Sequence, residues 1–242
     1  MARVVVFGAT SAIAAEFARQ HATRGDRMVL IGRDANKLAE LATACPFAET
    51  HRANFSNLAD NERVVHQVIA GGVDRVLIAH GLLGDQLATE QSFAAAAEVL
   101  TVNFTSVVSL LIPLANAMEA ASHGELGVIT SVAGDRGRPR NYTYGAAKGA
   151  LNIYLQGLRT RLFTRGVNVT TLKLGPVDTP MTKDHAKHLL FGKPAIVARD
   201  MIAAMDAGVA EAYVPAYWGL IMPLVKSTPE RVFQLLPFLS GR

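Results

Sequence analysis

The sequence predicts an α/β fold: one doubly wound parallel sheet with helices on both faces, built by residues 1–242 as a single domain. Three observations predict it. Short apolar runs alternate with helical segments of roughly 10–20 residues, the pattern of strand–helix–strand units. Runs such as Val76-Leu77-Ile78-Ala79 are apolar throughout rather than at every second position, as strands covered on both faces are. Half of the 242 residues are hydrophobic and only 18% are charged, which supplies a large core and excludes intrinsic disorder.

Taken in order, Arg3 to Phe7 is an apolar strand stopped by Gly8, and a helix is expected from about Ser11 to Arg24. Asp26 to Ile31 reads as the second strand and Asp34 to Ala44 as the second helix, with Asp34 a capping residue. A strand at Phe47 to Arg52, a helix at Leu58 to Ala70 and a strand at Val73 to Ala79 follow. A long helix is expected over Phe93 to Ala121, then a strand at Gly127 to Ser131, a helix at Thr143 to Arg165 and a strand at Val167 to Leu174. Within the long helix, Val99 to Met118 carries no charge. Thr101, Asn103, Thr105, Ser106, Ser109, Pro113 and Asn116 interrupt it, so a helix in a core or at a subunit contact is expected rather than a membrane span. The segment from about 212 to 239 is rich in Tyr, Trp, Leu, Ile, Met and Phe but is broken by Pro215, Pro223, Pro229 and Pro237. It is read as short pieces that cover the core, a partner subunit, a substrate cleft or a membrane surface.

Composition narrows the function. Cys45 is the sole cysteine, so no internal disulfide and no Cys-rich zinc cage is expected. Met1-Ala2-Arg3 runs straight into a strand without the pattern of a signal peptide, and a cytoplasmic location is expected. A net charge of +4 is too mild for a nucleic-acid module but suits an anionic cofactor or substrate. His185 and His188 stand three apart without a carboxylate or cysteine set, and no metal is expected.

Three places carry candidate chemistry. Gly8, Ala9, Thr10, Ser11, Ala12, Ile13 and Ala14 lie between the first strand and first helix, where backbone N–H groups meet a dinucleotide's pyrophosphate. Ala12 and Ala14 stand where glycines are expected, and an ordinary strand-to-helix turn reads the same residues equally well. After the second strand comes Gly32-Arg33-Asp34. A guanidinium there favours the 2′-phosphate of NADP over NAD, the alternative being a solvated arginine beside a capping aspartate. Tyr144 and Lys148, four apart, share a helix face, and Ser131 ends the strand before them. A tyrosine titrates near 10. A neighbouring ammonium and a cationic nicotinamide are expected to lower that value, so the set suits proton exchange with a carbonyl oxygen. Taken alone, Tyr144 and Lys148 read better as a surface pair on an amphipathic helix.

With the glycine-containing loop, Ser131, Tyr144 and Lys148 in this order, the whole chain resembles the short-chain dehydrogenase/reductase family. The resemblance implies a Rossmann-like domain, a ketone or alcohol substrate and a homodimer or homotetramer through the long helix, while Arg33 points to NADP(H) preferred over NAD(H). It implies Asn103 as a fourth catalytic residue that holds a water in the proton relay. It also implies cofactor contacts at Asn54, Gly81, Lys148, Pro176, Val177 and Thr179. Phe7, Ala12, Ala14, Asn54 and the Ala79-His80-Gly81 triplet depart from the family pattern. The segments His80 to Asp85, Ser131 to Asn141 and Tyr144-Gly145 are similar to a subgroup that reduces decaprenylphosphoryl-2-keto-ribose, which implies a phosphate-bearing, lipid-linked keto sugar. Arg136, Arg138 and Arg140 would then hold the phosphate, or else pack or stay solvated, and the apolar tail would meet the lipid. Two rivals stand beside this reading: a general small-carbonyl reductase, and a non-catalytic dinucleotide sensor.

Overall fold

The computed structural model describes residues 1–182 and 190–236. His185, His188 and the end of the apolar tail lie outside the described residues. In chain order the elements are β1 (Arg3–Phe7), α1 (Ala12–Thr23), β2 (Arg27–Gly32), α2 (Ala35–Thr43), β3 (Glu49–Arg52), α3 (Leu58–Ala70), β4 (Arg75–Ile78), α4 (Gln86–Gln91), α5 (Phe93–Leu100), α6 (Ser106–Ala121), β5 (Gly124–Ser131), α7 (Tyr142–Leu162), β6 (Val167–Leu174), α8 (Pro194–Asp206), β7 (Glu211–Val214), α9 (Trp218–Ser227) and α10 (Glu230–Leu235).

The seven strands form one sheet in the order β3-β2-β1-β4-β5-β6-β7. Every strand pair is parallel. Because successive side chains alternate, Val5 and Phe7 pack with α3, α6 and α7 on one face, and Val4 and Val6 pack with α1, α2 and α8 on the other. Both faces are therefore covered, and the Rossmann-like expectation holds. The strand order turns at β1 and β4, which opens a crevice at their carboxyl ends.

Several details differ from the expected pattern. β5 starts at Gly124, three residues early, because Glu125 N–H bonds the Asp74 carbonyl and draws Gly124-Glu125 into the sheet. β7, four residues long, adds an edge strand that its mixed composition did not announce, and α4 and α8 were not anticipated. The long helix is continuous from Phe93 to Ala121, but Thr101–Thr105 form a wide π turn in which Ser106 N–H reaches the Thr101 carbonyl. It is long and apolar enough to cross a membrane. Val107, Leu110, Leu111, Leu114, Ala115 and Met118 nevertheless pack into the core against the sheet. In the tail, Trp218, Met222, Val225 and Phe233 of α9 and α10 close a small separate core with Val132, the residue after Ser131.

Candidate active site

The site forms where the carboxyl ends of β1, β4, β5 and β6 meet the start of α7. Gly8 has φ +82°, and a Cβ on it would lie 2.6 Å from the His80 backbone nitrogen, so only glycine fits this turn. Gly8 and Ala9 N–H both bond the Ile31 carbonyl (2.9 Å each), and Ser11 Oγ caps α1 by accepting from Ala14 N–H (3.3 Å). The first N–H groups of α1, at Ala12 and Ile13, face the loop without partners within the helix. Thr10 packs against Gly32, where a Cβ would meet its methyl at 3.1 Å. This glycine cradle at a helix N-terminus in the crevice fits a dinucleotide.

Arg33 is exposed at the end of β2, and Asp34 caps α2 through Asn36 N–H (3.0 Å) and Lys37 N–H (3.1 Å). A second cation joins Arg33, which sequence reasoning missed: Arg52 Nε donates to the Arg33 carbonyl (3.2 Å). It comes from β3, whose pairing with β2 sets Arg52 opposite Gly32. Asn54 turns its side-chain oxygen to Ser56 N–H (3.2 Å), while its own N–H donates to Asp60 (3.1 Å). Pro176, Val177 and Thr179 follow β6. There, Gly192 N–H bonds the Pro176 carbonyl (2.9 Å), and Thr182 Oγ1 bonds the carbonyls of Val177 (2.6 Å) and Thr179 (3.1 Å).

Ser131, Tyr144 and Lys148 are brought together. The Ser131 hydroxyl lies near enough to the Tyr144 phenol to favour its ionised form, while its Oγ accepts from Ala133 N–H (3.1 Å). Lys148 Nζ lies 5.8 Å from the Tyr144 ring centre and donates to the Ile129 carbonyl (3.1 Å). Burial pushes the Tyr144 pKa up to about 12, with Ser131 opposing, and pushes Lys148 down to about 8. For Tyr144 without a bound nicotinamide, desolvation of the phenolate outweighs the contribution of Ser131. Asn103, in the π turn, is fully buried. Its Nδ2 donates to the carbonyls of Leu82 (2.6 Å) and Val99 (2.8 Å), and its Oδ1 accepts from Leu82 N–H (3.2 Å). It thereby clamps Gly81, where a Cβ would lie 2.9 Å from Asn103 Oδ1 and 3.6 Å from Lys148 Nζ.

Behind this strap His80 is buried and neutral, its pKa pushed down to about 3 by burial and by the charges of Lys148 and Arg33. Its ring stacks on Phe55 at 4.2 Å, and Nε2 meets Ser106 Oγ at 2.9 Å.

The three arginines separate. Arg136 is committed to the tail. Its guanidinium bonds the carbonyls of Val225 (2.8 Å), Lys226 (3.3 Å) and Thr228, pairs with Glu230 (2.9 Å) and lies 4.0 Å over the Phe233 ring. The expected substrate contact at Arg136 is corrected to a structural one, since these groups end α9 and begin α10. Arg138 is half-buried under α9, and Arg140 is exposed beside it. Asp135 of the same loop is spent on Lys173 (3.0 Å) and the Tyr213 hydroxyl (2.6 Å). Among the described residues, no group of three or more His, Cys, Asp or Glu side chains is arranged to hold a metal.

Comparison with known proteins agrees with this geometry. Residues 2–189 match the family model described as short chain dehydrogenase. An uncharacterized oxidoreductase of Mycobacterium tuberculosis is 34% identical, over 98% of this chain and 97% of that one. One of Streptomyces coelicolor is 33% identical, over 96% and 95%. Among solved structures, a variant of actinorhodin polyketide ketoreductase with NADPH superposes with a TM-score of 0.79 at 23% identity, over 90% of this chain and 97% of that one.

Proposed function

The chain belongs to the short-chain dehydrogenase family, and on that premise we propose that it is an NADPH-dependent reductase of a ketone in which Tyr144 gives the proton. As a member it is an NAD(P)-dependent oxidoreductase. The observation that carries the finer reading is the Ser131–Tyr144–Lys148 set, half-buried at Ser131 and Tyr144 and buried at Lys148, in which the phenol keeps its proton and the ammonium lies 5.8 Å from the ring centre.

When bound, the reduced nicotinamide supplies the hydride for the carbonyl carbon. The chain supplies the rest. The Ser131 and Tyr144 hydroxyls hold the carbonyl oxygen, and the Tyr144 proton passes to that oxygen as negative charge develops on it. With a pKa of about 12 the phenol is in its donor form at neutral pH. Lys148, with a pKa of about 8, sits beside it as the group that restores the proton, and Asn103 holds the Gly81 strap against Lys148.

Preference for NADPH over NADH rests on Arg33 with Arg52 beside it, where a 2′-phosphate would lie. A neighbour in fold was solved with NADPH. The substrate we propose is a keto sugar bearing an oxyanion, carried on a lipid. Arg138, Arg140 and the subgroup motifs support the anion; exposed Leu220, Leu224 and Leu235 of the tail support the lipid and a peripheral membrane contact from the cytoplasm. Exposed Phe93, Ile112 and Ile153 on α5, α6 and α7 support a homodimer or homotetramer. The test is a panel of ketones with and without a phosphate, followed by loss of NADPH absorbance. Turnover of phosphate-bearing ketones above their neutral counterparts is expected. Equal turnover would favour a general small-carbonyl reductase, and no turnover of any ketone would overturn the reading in favour of a dinucleotide sensor.

A further inference from the structure

Two N–H donors lie buried beneath the tail without an acceptor among the described residues: Trp218 Nε1 and Arg138 Nε. Buried donors in folded proteins are nearly always paired, so two together call for a cause. Both are tied to Met222 of α9. Trp218 is 7% exposed and belongs to the same small core as Met222, one turn further along α9. Arg138 reaches that core through Nη2, whose contact is the thioether of Met222 at 3.9 Å, a weak acceptor for a guanidinium. The carboxylates nearby are taken. Asp135 is held by Lys173 and Tyr213, and Glu230 by Arg136.

The place adjoins the reacting groups. A Cβ on Gly175 would lie 1.9 Å from Trp218 Nε1. Gly175 follows Leu174, the β6 partner of Ser131 whose carbonyl accepts from Ser131 Oγ at 3.4 Å. Val132, next to Ser131, packs in the same core as Trp218. Arg136 fixes the ends of α9 and α10 over this point, so the indole and the guanidinium are held in position.

We propose that Trp218 and Arg138 form the subsite for an oxyanion on the substrate, a phosphate or a carboxylate. The inference rests on the ketone-reductase reading and assigns its anion contact to these two residues. The two N–H groups supply donors and no acceptor, so the subsite fits a ligand oxygen carrying negative charge. A guanidinium presents its planar fork to such a group, and the indole adds a single directional bond.

Trp218 is the sole tryptophan of the chain, so tryptophan emission reports on this position alone. The experiment titrates the protein, with and without NADP⁺, with dihydroxyacetone phosphate, dihydroxyacetone, pyruvate and inorganic phosphate. A saturable change in emission is expected with dihydroxyacetone phosphate or pyruvate, the tighter of the two telling phosphate from carboxylate, and none with dihydroxyacetone. Arg138→Met should weaken the anion's Kd by about 10- to 100-fold, and Arg138→Lys should restore part of it. In turnover, Arg138→Met and Trp218→Phe should each lower the ratio of kcat/KM for the phosphorylated over the neutral ketone, Arg138→Met by at least about tenfold. No saturable emission change, or an Arg138→Met protein that binds the anion as tightly as wild type, would overturn the subsite. Reduction of both ketones with an unchanged ratio in the variants overturns the subsite and leaves the reductase standing. Saturable, Arg138-dependent binding without reduction of any ketone overturns the reductase reading instead.

Discussion

Tyr144 keeps its proton because burial penalises the phenolate more than Ser131 stabilises it. The proton is therefore available to a carbonyl oxygen, and a single atom can be removed to test it. Tyr144→Phe should lower kcat by about 10²- to 10⁴-fold, the usual worth of a placed general acid, with NADPH affinity within about threefold of wild type. Measured turnover close to wild type would remove Tyr144 from the chemistry. Arg33→Ala should weaken NADPH by about 10- to 150-fold and NADH far less, since a charge-assisted contact to phosphate is lost. Arg52 beside it keeps the loss toward the low end, and Arg33 with Arg52 both replaced should reach the high end. Equal losses for the two cofactors, by fluorescence titration, would show that neither guanidinium meets the 2′-phosphate. At this scale the sequence was informative wherever spacing is local. Tyr144 and Lys148 share a face by helix geometry alone. Arg52 was hidden because its neighbour Arg33 lies across a strand pair, and Arg136 was misjudged because its partners lie about 90 residues further on.

The elements that sequence reasoning located best are those with strong apolar patterns, such as β1, α3 and α7. It missed those whose form depends on contacts elsewhere: β7 pairs at the sheet edge, and the π turn before α6 arises where Asn103 turns inward to clamp Leu82. The tail also depends on a distant contact. Arg136 caps the end of α9 through three carbonyls and covers the Phe233 ring of α10. Its pair with exposed Glu230 adds little, whereas the carbonyl bonds and the ring contact are shielded. Arg136→Ala should therefore destabilise the tail by about 2–3 kcal/mol, as orphaned carbonyls and a lost cation–π contact together imply. The measurement is urea unfolding read by Trp218 emission, whose red shift should come at lower urea than the loss of helical signal. Coincident transitions at the wild-type midpoint would mean that the tail is held by its apolar contacts alone.

At the scale of the whole molecule, a buried histidine with a lowered pKa stands at each end of the sheet. His80 lies at the carboxyl end of β4, stacked on Phe55 and facing the charges of Lys148 and Arg33. His21 lies at the opposite end. Its Nδ1 pairs with Asp26 at 2.8 Å and its Nε2 meets Arg75 at 3.2 Å, so the guanidinium donates to that nitrogen. Burial lowers the pKa of both, that of His80 from 6.5 to about 3. The unfolded chain takes up a proton at each histidine as the pH falls through 6.5, and the folded chain takes it up only at lower pH. Stability from these groups is thus full above that pH and is lost progressively below it. For His80 the loss continues down to about 3, at about 1.4 kcal/mol for each pH unit. The carboxylates whose pKa values are lowered, Asp26, Glu49, Asp60, Asp206 and Glu211, add a loss of the same sign, but from their ordinary values of 3.8 to 4.5 downward. Between about pH 7.5 and pH 5 the histidines therefore dominate, and His80 alone should account for about 2 kcal/mol. Urea unfolding across this range should show the slope, and His80→Leu should flatten it by about that amount whatever its effect on stability at the upper end. A variant with the slope of wild type would mean that His80 titrates normally in the folded protein, and that the polar contact to Ser106 is made by an imidazolium.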